Sequence, residues 1–468
     1  MFRFWFPQML SVFILSTVVS TGCSDSSSDN SSDAETHAKS NRLKQTASVP
    51  QNPTLKTDDE NRAKFEASPT SFNPEAQPAS SASTKGTSAG KFDWPHWRGP
   101  NGNGTSSEKN LIHSFPADGP NIFWRKQLGT GFSGLTVANG RLFTLFGEGG
   151  REKIVCFNAD TGEQIWIVDS DADFAQGRSY GPRSTPCVDG NRVYAVGASG
   201  MVHCLEADTG KKIWSFNIYD QFHMRRFFHE EGVSCSPVID GKKLIILAGI
   251  HAFAFDKTNG KVIWKVMEEK MNHSTPTFAT LNGQRQLIVL TGSHLVGLDP
   301  ASGKERWRHE QRAVNCVTPV IGPGNQIFTA AAYGFGCQLV KVNGDSVTQV
   351  YKNQALATHH GTAILHQGHL YGFHDRPGIF KCVEFATGNE KWSSRSPGKS
   401  KAILADGMLV LITEFGDLVL VKPSPNGYSE LAKARILKGT CYTAPTLANG
   451  KLYVRSNREM VCIDMKRP

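Results

Sequence analysis

The 468-residue chain has no two adjacent cysteines and no Cys-x-x-Cys-His, so neither a vicinal disulfide nor a c-type haem attachment is available. It has no apolar run of about eighteen residues, the length a membrane-spanning helix needs. Its Lys and Arg outnumber Asp and Glu by 51 to 42, a net charge of +9. Nowhere, however, do the basic residues gather with aromatics into the stripe that nucleic-acid binding requires, and no nucleic-acid partner is expected. Residues 24–92 hold 8 Lys and Arg against 9 Asp and Glu, so the positive excess belongs to the remainder. Spread as it is, that excess reads first as solvated surface.

Those same residues lack aromatics apart from Phe65, Phe72 and Phe92 and are rich in Ser, Ala, Thr and Pro. Such a segment buries too little apolar surface to offset its chain entropy and reads as a tether. Ahead of it, Arg3, the apolar stretch Met9–Val19 and the small residues leading to Cys23 have the layout of an export signal. The ending "VVSTGC" resembles a lipoprotein cleavage site, with Ser20 where Leu is usual. The expectation is a signal peptide over 1–22, lipidation of Cys23, a membrane anchor through that lipid, and a tether over 23–92. Ser24 after Cys23 points to the periplasmic side of the outer membrane.

What the sequence has in abundance is repetition. "CFNADTGEQIW", "CLEADTGKKIW", "AFDKTNGKVIW", "GLDPASGKERW" and "CVEFATGNEKW" are five copies of one pattern ending in Trp166, Trp214, Trp264, Trp307 and Trp392. A degenerate copy, "VKVNGDSVTQVYK", puts Tyr351 in the Trp position. A second marker is a glycine hairpin near the start of each unit, at Gly140, Gly190, Gly241, Gly283, Gly324, Gly368, Gly407 and Gly450. Asn-Gly and Asp-Gly between apolar residues are strong hairpin signals because both turn positions need positive φ. Each unit therefore reads as four antiparallel strands, and the eight units as an all-β, eight-bladed β-propeller over 121–468. The last unit ends one strand short, and "NIFWRKQL" at 121–128, carrying Trp124, belongs to no other unit. It is expected to complete the eighth blade and remove the last open edge. Residues 93–120, with Trp94 and Trp97, then form a leader packed on the propeller. Cys156, Cys204, Cys382 and Cys462 share one slot of the repeated strand and read as core thiols.

The Thr-Gly…Trp repeat, with the Pro-containing strands "STPCV", "CSPVI", "STPTF", "VTPVI" and "TAPTL", resembles the pyrroloquinoline-quinone-like (PQQ-like) β-propeller family. That resemblance implies one of two functions. One is a non-catalytic scaffold like the BamB-type outer-membrane assembly lipoprotein; the other is a quinoprotein oxidoreductase using the quinone with Ca²⁺. No position here matches the family's catalytic residues, so no cofactor is expected. A monomeric, envelope-anchored platform for envelope proteins is the favoured expectation, with a quinoprotein or a small-ligand or carbohydrate sensor as the alternative.

Two other patterns fall to context. Gly129, Gly131 and Gly134 match a dinucleotide fingerprint, but a hairpin follows where a helix is needed. His366 and His369 straddle a hairpin turn and bring no further ligand. The connections 168–184 and 217–234 are the longest, and loops on rigid scaffolds carry function. They supply the candidate interaction residues Arg178, Tyr180 and Arg183, then Phe222, His223, Arg225, Arg226, Phe227 and Phe228. His273, His359 and His360, at the entrances to inner strands, complete the candidate face.

Overall fold

The computed structural model describes residues 91–172, 174, 180–225 and 232–467. Among them stand eight four-stranded sheets, each antiparallel throughout. Seven are formed by consecutive strands; blade 1, for example, comprises Thr136–Ala138, Arg141–Glu148, Arg151–Asn158 and Gln164–Ala172. The eighth takes Thr446–Ala448, Lys451–Arg455 and Glu459–Asp464 from one end of the chain and Ile122–Gln127 from the other. The strand carrying Trp124 thus closes the ring, with Trp124 opposite Cys462, the same pairing as Trp166 with Cys156 and Trp214 with Cys204. All nine described cysteines are thiols, and burial pushes Cys204 up to about 11 and Cys187 up to about 12.

The repeated Trp joins neighbouring blades. Its indole N–H donates to a carbonyl in the turn of the next blade: Trp124 to Ala159 at 3.1 Å, Trp166 to Ala207 at 2.9 Å, Trp214 to Lys257 at 3.2 Å, Trp264 to Pro300 at 3.3 Å and Trp392 to Ser424 at 2.7 Å. Tyr351 does the same with its hydroxyl, to Phe385 at 3.0 Å. At five of these six seams the glycine of the receiving turn lies against the ring; Gly427, in the turn that receives Trp392, does not. A Cβ on Gly210, whose φ is +72°, would come within 2.7 Å of Trp166, so the turn needs glycine for its backbone and for its neighbour.

Two seams depart from the rule. Trp307 donates to Gln286 of its own blade, at 2.7 Å, because the next turn is the divergent one around Gly344, beside which a Cβ would meet nothing. In blade 7, Ala432 opposite Leu420 holds the aromatic's position. There the leader's Leu111, Ile112 and Phe115 share one apolar cluster with blades 7, 8 and 1.

The Ser/Thr-Pro motif explains the channel wall. Its hydroxyls tie each inner strand to the next: Thr185 Oγ1 accepts from Gly134 N, Ser236 Oγ from Thr185 N and Thr275 Oγ1 from Ser236 N, at 3.0–3.1 Å. Proline is tolerated because the inner edge has no further strand to donate to. The seam between blades 8 and 1 carries an additional clamp in Arg455, which is fully buried. Its guanidinium donates to Gly131 O, Ser133 O, Thr144 Oγ1, Leu145 O and Ser456 O, and desolvation lowers its pKa to about 9.

The leader crosses one end of the channel. Trp94 exchanges backbone hydrogen bonds with Val137, Pro95 accepts from Val188, and Gly104 and Ser106 pair with Leu404. Trp97 reaches across to Thr318 Oγ1 at 3.0 Å. Blades 1, 2, 5 and 7 are therefore linked over the axis, and a cavity of about 10 Å³ between the leader and the inner strands has room for at most about one water.

Gly210→Ala and Gly344→Ala impose the same kind of backbone strain, at φ of +72° and +61°, but only the first collides with an interblade ring. Gly210→Ala is expected to lose about 1–2 kcal/mol more than Gly344→Ala in denaturant unfolding. Equal losses would mean that the ring contact adds nothing to the seam.

Candidate functional site

In an antiparallel blade, first-to-second and third-to-fourth strand turns lie at one end, and the remaining connections at the other. The leader covers the first end. The opposite end is therefore the open face, and its loops ring the channel mouth.

Exposed large apolar side chains fall into two sets. Ile122, Phe123, Ile165, Ile213, Val262, Ile263 and Val350 lie on outermost strands around the rim, whereas Tyr180, Val314, Tyr333 and Phe415 lie on open-face loops. Tyr180, Tyr333 and Phe415 are 58%, 62% and 69% exposed. Tyr333 and Phe415 come from the second-to-third strand turns of blades 5 and 7, short connections that loop length alone does not single out.

Inside this ring sits a polar cluster. His359 Nε2 is 3.2 Å from Tyr333 Oη, and His359 Nδ1 is 3.8 Å from Asp375 Oδ2, which Lys399 engages through its other oxygen at 2.6 Å. The His359 and His360 rings lie against each other, tilted by 30° with centroids 3.6 Å apart, and His360 leans on Tyr442. Tyr442 donates to Glu414. Lys401 lies 5.3 Å from the Tyr442 ring centroid. Burial, reinforced by Lys399, lowers Lys401 to about 8. Desolvation pushes His359 down to about 4, with Asp375 opposing and Lys399, Lys401 and Arg376 adding to the shift. His360 is held below the ordinary imidazole range by desolvation, then by His359 and Lys401. Both rings are thus neutral near pH 7, each with a nitrogen lone pair. Cys316 completes the group: one ligand atom from each of Cys316, His359 and His360 lies within 4.8 Å of the others.

The structure brings only some of the sequence candidates together. His359 and His360 form the cluster, and His273 is close enough to depress His360 while contacting Ser234 Oγ at 3.1 Å. Tyr180 is exposed on the same face, and Arg183 donates to Gly181 O. Phe222 is packed into the fold, its ring 4.8 Å from Phe253 and 6.0 Å from Phe255. It follows the short helix α1, Ile218–Gln221, which Asn217 caps. His223 and Arg225 are exposed beside it, His223 at a φ of +50°. Arg178, Arg226, Phe227, Phe228 and the lipidation candidate Cys23 lie outside the described residues. Sequence reasoning missed Cys316, Tyr333, Asp375, Lys399, Lys401 and Phe415, since nothing local marks which loops of different blades converge.

Residues 108–176 and 150–394 match the family described as outer membrane protein assembly factor BamB, more than half of the chain. The chain belongs to that family. Among solved structures it is similar to BamB from Moraxella catarrhalis, at 15% identity and a TM-score of 0.55 over 74% of this chain and 98% of that one. Quinohemoprotein alcohol dehydrogenase from Comamonas testosteroni is similar at 11% identity and 0.57, over 80% of each chain. The computationally designed Ika8 protein gives 11% and 0.53, over 74% of this chain and 100% of that one. At such identities these likenesses establish the shared propeller alone. No curated protein matches the chain.

The sign of the histidine shift fixes a pH dependence. A folded-state pKa of about 4 for His359 lies below the unfolded value near 6.5. As pH falls below about 6.5 the unfolded chain takes up the proton first, so the stability held above that pH declines toward pH 4 and the loss levels off below it. The melting temperature is expected to fall between pH 7.5 and 4.5, and less steeply in the double variant His359→Gln, His360→Gln. Parallel pH profiles for parent and variant would refute the assignment.

Proposed function

We propose that the protein is a non-catalytic, envelope-anchored docking platform for envelope proteins, acting in outer-membrane protein assembly as a monomer tethered by lipidated Cys23. The observation that carries the proposal is the placement of Tyr180, Tyr333 and Phe415, exposed aromatics concentrated around the mouth left open by the leader. Aromatic side chains are what interface cores are made of. Membership of the BamB family supports the assembly role, and a family so described supports an outer-membrane-associated location. Arg183 and the exposed Arg225, with Lys399 in the mouth, favour a partner segment combining apolar and acidic residues.

The quinoprotein alternative does not fit the residues of the mouth. Ca²⁺ takes six to eight oxygen ligands, whereas the clustered donors here are a thiol and two imidazoles. The nearby carboxylates of Asp375 and Glu414 are engaged by Lys399 and Tyr442.

A photo-crosslinking residue placed at Tyr333 or Phe415 in the native envelope is expected to trap one and the same protein, and the same residue at Val262 on the rim to trap none. Truncating the two aromatics to alanine should weaken binding of that protein by about 2 kcal/mol or more, roughly thirtyfold, without moving the melting temperature. Adducts confined to the rim would overturn the proposal. So would dye-linked alcohol oxidation after loading with the quinone and Ca²⁺.

A further inference from the structure

We propose that Cys316, His359 and His360 form a binding site for a thiophilic d¹⁰ metal ion, Zn²⁺ or Cu⁺, at the mouth of the channel. It is the one group of three such donors among the described residues. The residues come from two connections, Cys316 entering blade 5 and the histidines entering blade 6, so adjacent blades build the site and its geometry is set by the ring. One thiol and two imidazoles are the donor set that Zn²⁺ and Cu⁺ prefer over Ca²⁺ or Mg²⁺. Ligand atoms sharing a metal of this size sit about 3.3–3.8 Å apart. The 4.8 Å limit observed without a metal therefore closes with side-chain movements of about 1 Å.

Three features of the surroundings suit a metal. His359 has a partner at each ring nitrogen, Tyr333 Oη and Asp375, which Lys399 holds; the nitrogen that binds exchanges its partner for the ion, and the other keeps the outer contact that fixes a metal-binding imidazole. The His359 and His360 rings lie with centroids 3.6 Å apart, so both imidazoles can reach one ion beside Cys316 Sγ. His360 is exposed, leaving a side open to water or an exogenous ligand, the arrangement of a three-ligand site rather than of a closed structural one. Binding releases the proton of Cys316 Sγ to solvent and leaves a thiolate as the ligand. With Cu⁺ the bound metal–thiolate pair is neutral; with Zn²⁺ it carries one positive charge.

The site is independent of the docking reading and is tested on the purified full chain with no partner present. Under reducing conditions the protein is titrated with Zn²⁺ and with Cu⁺ against chromophoric chelators of each, and with Co²⁺ as a spectroscopic probe. One equivalent is expected to bind, with the ion held more tightly naming the metal, and the Co²⁺ form should show a thiolate charge-transfer band with strong d–d absorption. Cys316→Ser and His360→Ala should each lose about tenfold or more in affinity, while His369→Ala, at the first-to-second-strand hairpin on the opposite end of blade 6, should not. Should Cys316→Ser fold poorly, the exposed His360→Ala and the Co²⁺ band of the parent chain still decide. Absence of stoichiometric binding by either ion, parental affinity in Cys316→Ser or His360→Ala, or a Co²⁺ spectrum without the thiolate band would overturn the proposal.

Discussion

The ring stands on one contact made between blades: an outer-strand aromatic that lies on the turn glycine of the next blade and donates its N–H or O–H to a carbonyl of that turn. A four-stranded sheet has two apolar faces and cannot bury either alone. Pairing the faces needs a fixed offset between neighbours, and the indole sets it, since its N–H would lose a hydrogen bond if the blades slid. The glycine belongs to the same device. Only a residue without a Cβ both adopts the positive φ of the Thr-Gly turn and lets the ring approach, as the 2.7 Å separations at Gly162 and Gly210 show.

That contact explains where the fold diverges. At the seam after Trp307 the receiving turn is irregular, and Gln286 takes the indole N–H inside the blade, so the polar group stays satisfied while the interblade bond is given up. At the seam after Ala432 the aromatic is gone, and the leader supplies apolar side chains from outside the repeat. At the seam where the two chain ends meet, Trp124 keeps the bond and buried Arg455 adds five more, all to oxygen atoms and none to a carboxylate. Burying a guanidinium is costly unless its donors are all used. Here they are spent on Gly131, Ser133, Thr144 and Leu145, which belong to blade 1 and its approach, and so they hold the closing blade to the first.

The repeat made the propeller readable from sequence, because the Trp, the Thr-Gly-type turn and the hairpin glycine each have a local meaning repeated six, five and eight times. Even the closing strand was legible, through Trp124 and a last unit that ends one strand short. The site was less so. His359 and His360 stood out as a pair, but Cys316, Tyr333 and Phe415 are ordinary in their own stretches and acquire meaning only when the ring brings blades 5, 6 and 7 to one mouth. The long connections drew attention to Phe222, and there length misled: its ring is engaged with Phe253 and Phe255, so part of the extra sequence serves packing. Arg455 left no signal, since nothing local distinguishes an arginine whose donors are met by carbonyls from one in solvent.

Capping one end of the channel has a consequence for the other. With Trp94, Trp97 and Arg98 filling the axis beneath the leader, the channel is a blind funnel rather than a passage. Its open mouth combines a low-dielectric wall with uneven charge, and there Lys401 and the two histidines are pushed toward neutrality together. Groups crowded in this way give up charge because water can no longer screen them. A ligand that brought compensating charge, whether a cation held by the thiol and imidazoles or an acidic segment reaching the lysines, would relieve that crowding. The same closure that stiffens the ring thus concentrates unsatisfied chemistry on the single face that exposed aromatics surround.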